Sequence, residues 1–233
     1  MNIFTPKPKQ KELVKVLVDT LLEIIETINE KDIIEDLLTN KGTRICDKLK
    51  KYFDMITGFE CCVCIKTTHY KNKQTEDLSE DLNLYTLCRD AESTKKGRGA
   101  IDVYSKNNPN AAHSVFNNTD FMHIWMQLMQ GKFDSWHSND LKNEPNYLNS
   151  SKIFYTHLKE PLPYKSSISV PICSNLKNTE HSGMIVRLWG YLCIDCNESG
   201  RVFDKERDKP VLQSISMPFF NFICKEIIPK QPQ

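Results

Sequence analysis

Ser166-Ser-Ile-Ser-Val-Pro-Ile172 and Leu188-Trp-Gly-Tyr-Leu-Cys-Ile-Asp-Cys196 are the two stretches on which the fold turns. In the first, Ile168, Val170 and Ile172 alternate with small or polar residues. Side chains along a strand point alternately to opposite faces, so this pattern predicts a strand with one apolar face. The second follows a polar connection containing Gly183 and reads as a second strand. Pro171 has no backbone donor, which suits a strand edge, end or bulge. Gly190 opens its strand where a side chain would crowd a neighbour. Asp195, at a strand end, is placed to bond nearby backbone amides.

Working outward, Phe59 to Thr68 is short, apolar and partly β-branched, and reads as a central strand. Leu82-Asn-Leu-Tyr-Thr-Leu-Cys88 alternates and reads as its hairpin partner, with polar residues 71–80 between them. From Arg89 to Asn118 the chain is polar and aperiodic. A stretch of that length inside a domain is unusual and is often functional. Thr119 to Met129 reads as a helix with Phe121, Trp125, Leu128 and Met129 on one face, capped by Asn118 or Thr119 and ended by Gly131. Residues 136–165 read as a loop. A final helix runs from about Lys205 to Ile228, with Pro210 near its start and a kink expected at Pro218.

The chain opens on helices. From Lys9 to Glu30 there is no Gly or Pro, and Val14, Val18, Leu21, Ile25 and Ile28, widened by Leu17 and Ile24, form a broad amphipathic stripe. Such a stripe suits packing on its own domain and a dimer contact equally. A second helical segment from Asp32 carries Ile33, Ile34, Leu37 and Leu38. After Asn40-Lys-Gly42, Thr43 reads as an N-cap for a helix bearing Ile45, Cys46, Leu49, Tyr52 and Phe53, stopped at Thr57-Gly58. The division expected is a helical segment at 1–42, a domain at 43–228 and a tail at 229–233.

The order of these elements and their motifs resembles the GAF domain family. Ser166 to Ile172 resembles its Val-Pro-Ile strand, Trp189 to Asp195 its Gly-x-Leu-x-Ile-Asp strand, and Phe203 with Asp208 its Phe-x3-4-Asp helix entry. The resemblance implies an α+β fold: an antiparallel sheet flanked by helices, with an N-terminal helical extension. It also implies a bacterial-type sensory or regulatory domain without catalysis. A small ligand would sit between the sheet and the variable loops, and a helical homodimer or a signalling partner would carry the output. The expected pocket residues are Tyr85, Arg89, Phe116, Asn118, Asp120, Phe121 and Trp125. The ligand itself is open and no cofactor is identified.

Other readings compete. The pocket could be filled by Phe121, Trp125 and Met126, leaving a ligand-free oligomerisation module. Alternatively Cys62, Cys64 and Cys193 could form a thiol-based redox or metal sensor. Cys193 and Cys196 are three apart on a strand and point to opposite faces, so they cannot share one metal. Buried free cysteines usually act as small hydrophobes. The cysteine segments of the family's free methionine sulfoxide reductases are absent, and the Asn-Lys pair of its cyclic-nucleotide binders is missing, with only Asn175 or Asn178 as stand-ins. A site on His113, His123 or His137 has little support, and no metal is expected.

Composition limits the partners. Among 233 residues, 31 Lys and Arg against 30 Asp and Glu give a net charge of +1 without a basic stripe. Nucleic-acid binding is therefore not expected, because phosphate neutralisation needs such a face. No stretch reaches the roughly 18 apolar residues of a membrane span. Nine cysteines show no disulfide framework and the start has no signal-peptide pattern, so free thiols and a cytoplasmic location are expected.

Overall fold

The computed structural model describes residues 10–29, 40–70, 82–100, 113–173 and 188–226. The expected helix from Asp32, Asn175, Asn178 and the tail lie outside them. Among the described residues six strands form one antiparallel sheet: β1 (Cys61–Tyr70), β2 (Leu82–Arg89), β3 (His113–Ser114), β4 (Trp136–Ser138), β5 (Ser166–Cys173) and β6 (Leu188–Cys196). Their order is β3-β2-β1-β6-β5-β4, so the two quoted stretches pair with each other and β6 pairs with β1 at the centre. The expected hairpin of β1 and β2 is present, with a bulge between Ile65 and Lys66. The 136–165 stretch is not all loop. It carries β4 and a short helix, because Trp136 to Ser138 align against Ser167 to Ser169.

Alternation sorts the sheet into two faces. Val63, Ile65, Ile168, Val170, Ile172, Leu192 and Ile194 point to one of them. That face is covered by α1 (Gln10–Asn29), α2 (Gly42–Thr57) and α5 (Lys205–Glu226). α2 contributes Ile45, Cys46, Leu49, Tyr52 and Phe53, all buried at helical spacing. α5 contributes Leu212, Ile215, Phe219 and Phe220. The ring of Phe53 meets Phe203 edge-on at 6.2 Å, and Trp189 meets Phe219 at 5.8 Å. Each fully buried Leu, Ile or Phe contributes about 1.5–3 kcal/mol.

α2 stops where Gly58 takes a φ of 74°, a left-handed conformation that favours glycine, and its N–H bonds the Asp54 carbonyl at 2.9 Å. At its other end Thr43 lies inside the helix and does not cap it; Lys41 occupies the cap position without a side-chain cap bond. α5 runs unbroken through Pro210 and Pro218. Its start is fixed by Asp204, whose carboxylate accepts from the N–H groups of Glu206 and Arg207, and by Asp208, which accepts from the Asp204 N–H at 2.8 Å.

α1 packs on α2 and α5 through Val16, Leu17 and Leu21. Val14, Val18 and Leu22, on its other side, are exposed. The single expected stripe therefore divides: Leu17 and Leu21 face inward, while Val14 and Val18 face outward.

Two backbone details close the sheet. A Cβ added at Gly190 would lie 1.9 Å from the Lys66 carbonyl oxygen, so the close approach of β6 to β1 requires glycine there. Among the described residues β4 pairs with β5 only as far as Ser169, and Pro171 lies just beyond, where β5 is the sheet edge. Its missing N–H costs no ladder bond at that position.

Candidate functional site

The opposite face of the sheet has a different character. The pairings Cys62 with Asp195, Cys64 with Cys193 and Lys66 with Tyr191 place these six side chains on it. Ser167 and Ser169 of β5 join them opposite Asp195 and Cys193. Over this face lie α3 (Thr119–Met129) and residues of the loop between β4 and β5, which carries α4 (Ser151–His157). Phe121, Ile124 and Leu128 of α3 are buried, Trp125 is half-buried, and Met129 is exposed, against expectation. Ile124 takes the inward position three residues on from Phe121, and the helical period turns Met129 outward.

Polar groups hold the cover in place. Asn118 sits at the N-cap position of α3, yet its side chain makes no cap bond. Its amide instead donates to the Ser114 carbonyl at 2.6 Å, and its oxygen accepts from the N–H and hydroxyl of Ser150, each at 3.0 Å. The Thr119 hydroxyl accepts from the Leu148 N–H at 2.8 Å. Asn149 donates to the hydroxyls of Tyr147 at 2.7 Å and Tyr164 at 2.8 Å, and its oxygen accepts from the Ser151 N–H. The rings of Phe121 and Tyr191 lie 4.6 Å apart, and the Tyr191 hydroxyl donates to the Phe121 carbonyl.

Asp120 is the exception in this network. Its carboxylate is buried; one oxygen accepts from the Ser169 hydroxyl at 3.3 Å, and the other, Oδ1, has no partner. Burial pushes its pKa up to about 7, with the amides of Phe121 and Asp120 pulling it back, Asp195 adding to the rise and Lys66 opposing it. A buried polar atom without a partner costs about 1–3 kcal/mol, so a native structure that retains one calls for an explanation.

Asp195 lies two pairs along the sheet. Arg98 donates to it at 2.9 Å in a largely buried ion pair, and the guanidinium carbon stands 4.9 Å from the centre of the Tyr164 ring. The bond of Asp195 is thus to a side chain, where backbone amides had been expected. The pair separates two cavities. One, of about 30 Å³, is lined by Asp120, Phe121, Asn118, Asn149, Tyr164, Lys66, Cys193 and Asp195. The other, of about 170 Å³, is bordered by Asp195, Arg98, Lys96, Glu60, Ser93 and Cys62.

Of the expected pocket residues, Asn118, Asp120 and Phe121 come together around the smaller cavity. Phe116 and Trp125 pack against the apolar cluster of the same face without lining either cavity. Arg89 is buried and donates to the Cys62 sulfur at 3.0 Å. Tyr85 is placed away from the cavities: it pairs with Thr67, itself opposite Gly190, and so sits on the face toward α2 and α5. Lys66, Asn149, Ser151 and Tyr164 were missed. Lys66 was legible from strand alternation with Cys62 and Cys64, whereas the other three come from a loop without periodicity.

Cys64 faces Cys193 across β1 and β6, with Cys62 two residues along, while Cys196 packs on the other face beside Cys61. All eight described cysteines are buried and free. Burial pushes Cys62 up to about 11 and raises Cys193; the hydrogen bond with Cys193 lowers Cys64 to about 7. Among the described residues no group of three or more His, Cys, Asp and Glu side chains is placed to hold a metal ion. No described helix is long and apolar enough to cross a membrane.

This architecture matches known structures. A solved GAF domain superposes with a TM-score of 0.55 at 11% identity, over 90% of this chain and 88% of that one. The GAF domain of a phosphoenolpyruvate-protein phosphotransferase from Coxiella burnetii superposes at 0.50 with 13% identity, over 90% and 94% of the two chains. No family model matches the sequence, and no curated protein does. The fold is the GAF fold. At 11–13% identity the likeness carries the path of the chain alone.

Proposed function

We propose that this protein is a sensory or regulatory GAF-type domain that binds a small polar molecule without transforming it. The observation that carries this is the Asp120 carboxylate, buried with one oxygen unpartnered against a cavity between sheet and cover. A ligand there touches α3 and the loop of Asn149 and Tyr164, which are tied to each other through Asn118 and Ser150. Binding shifts the domain only as far as it favours one arrangement of that cover over another. Output runs through α1 and α5, which share the helix-covered face, to a second copy or a signalling partner. The exposed Val14, Val18 and Leu22 supply the apolar contact.

Native mass spectrometry of gently purified protein, followed by denaturation, tests this. The expected result is a species heavier than the chain by one small molecule, which denaturation releases. The small size of the cavity supports a second reading, a ligand-free interaction module. A ligand-free dimer whose association depends on Val14, Val18 and Leu22 would establish that reading instead.

A further inference from the structure

We infer that the cavity beside Asp120 is a subsite for the primary ammonium group of a small molecule, received by Asp120 Oδ1. This rests on the ligand-binding reading above and narrows it to a chemical class. The argument is one of elimination among hydrogen-bond partners. Asn118 spends its amide on the Ser114 carbonyl. Asn149 spends both of its amide hydrogens on Tyr147 and Tyr164. Arg98 is turned to Asp195, and Lys66 donates to the Thr86 hydroxyl at 3.1 Å. Of the buried side-chain nitrogen and oxygen atoms lining the cavity, Asp120 Oδ1 is the one without a partner, and a carboxylate oxygen is completed by a donor.

Charge and size select among donors. Asp195 is matched by Arg98, whereas Asp120, ionised above about pH 7, has no ion-pair partner among the described residues, so a cationic donor would also balance its charge. An anionic group entering the cavity would be repelled. Phe121 and Tyr164 are among the residues that line it. A volume of about 30 Å³ has room for about two waters, which is also the room an ammonium with its first carbon needs. A ring or a trimethylated nitrogen does not fit.

The test uses methylammonium chloride, with tetramethylammonium chloride as a partner of equal charge that has no N–H and is too large. A ligand of two heavy atoms binds at best in the millimolar range. The expected result is saturable millimolar binding of methylammonium by the whole chain, seen as shifts of the Phe121 and Tyr164 ring resonances in NMR, with no such shifts from tetramethylammonium. Asp120→Asn keeps the shape of the side chain and should weaken methylammonium at least tenfold. Equal effects of both salts, or undiminished binding by a folded Asp120→Asn variant, would overturn the inference. Because the wild-type comparison stands alone, a variant that fails to fold leaves the test intact. If methylammonium does not bind while native mass spectrometry shows an anionic or neutral compound, the subsite is overturned and the ligand-binding function stands. If neither binds, both fall.

Discussion

The same strands build two unlike faces. Toward α1, α2 and α5, β1, β5 and β6 send Val63, Ile65, Ile168, Val170, Ile172, Leu192 and Ile194 into a continuous apolar layer. Toward α3, the residues between them are Cys62, Cys64, Lys66, Ser167, Ser169, Tyr191, Cys193 and Asp195. One face buries hydrocarbon and gains its stability from area. The other buries hydroxyls, thiols and charges, which cost free energy unless each finds a partner. Strand alternation lets a single segment do both, so the stability of the first face can support a strained acceptor on the second. The proposed ligand site accordingly draws on alternate residues of the strands that also build the apolar layer.

The largest effect that would sharpen this contrast is on the apolar face. Leu49→Ala, at a fully buried position of α2, should cost about 2–5 kcal/mol in chemical denaturation. A loss below 1 kcal/mol would show that this layer is not the main source of stability.

Next comes a pH dependence on the polar face. Asp120 keeps its proton up to about pH 7 in the folded chain and releases it near 3.8 when unfolded. Between those values the native state holds more protons, so this group's contribution falls as pH rises from about 4 to about 7. The slope is at most about 1.4 kcal/mol per pH unit. Asp120→Asn should remove that component and be the more stable form above pH 7. Parallel stability-against-pH curves for variant and wild type would contradict the placement of a buried, unpartnered carboxylate.

The smallest effect belongs to neither face. Val18→Ser, on the exposed side of α1, should change the stability of the isolated chain by no more than about 0.5 kcal/mol. Sedimentation should nevertheless show weaker self-association. Unchanged association would remove α1 from the output path.

The fold was legible because its signals are local. Alternation at Ile168, Val170 and Ile172, the stop at Gly58 and the period of Leu49 and Phe53 each need only a few neighbouring residues. Asn118, Asp120 and Phe121 were named from the family resemblance, and the structure sets these three beside the smaller cavity. Tyr85 was misassigned although the parity was available: Leu82 and Leu84 occupy the α3 face, so Tyr85 between strand positions had to point away. Asn149 and Tyr164 were not legible. Their roles come from hydrogen bonds to each other and to Tyr147 across a loop, and no periodicity marks them. Asp195 was read as a backbone ligand because its partner, Arg98, is 97 residues away.

The borders of the sheet carry a consequence for the chain's life in a crowded solution. Among the described residues β3 offers two residues and β4 three, and Pro171 stands without a donor where β5 emerges beyond β4. A stray strand from another molecule would find few main-chain groups in register and a gap in the row. Short margins and an edge proline are devices that discourage fibril growth from a sheet. The proline of the Val170-Pro-Ile172 stretch thus also guards against aggregation.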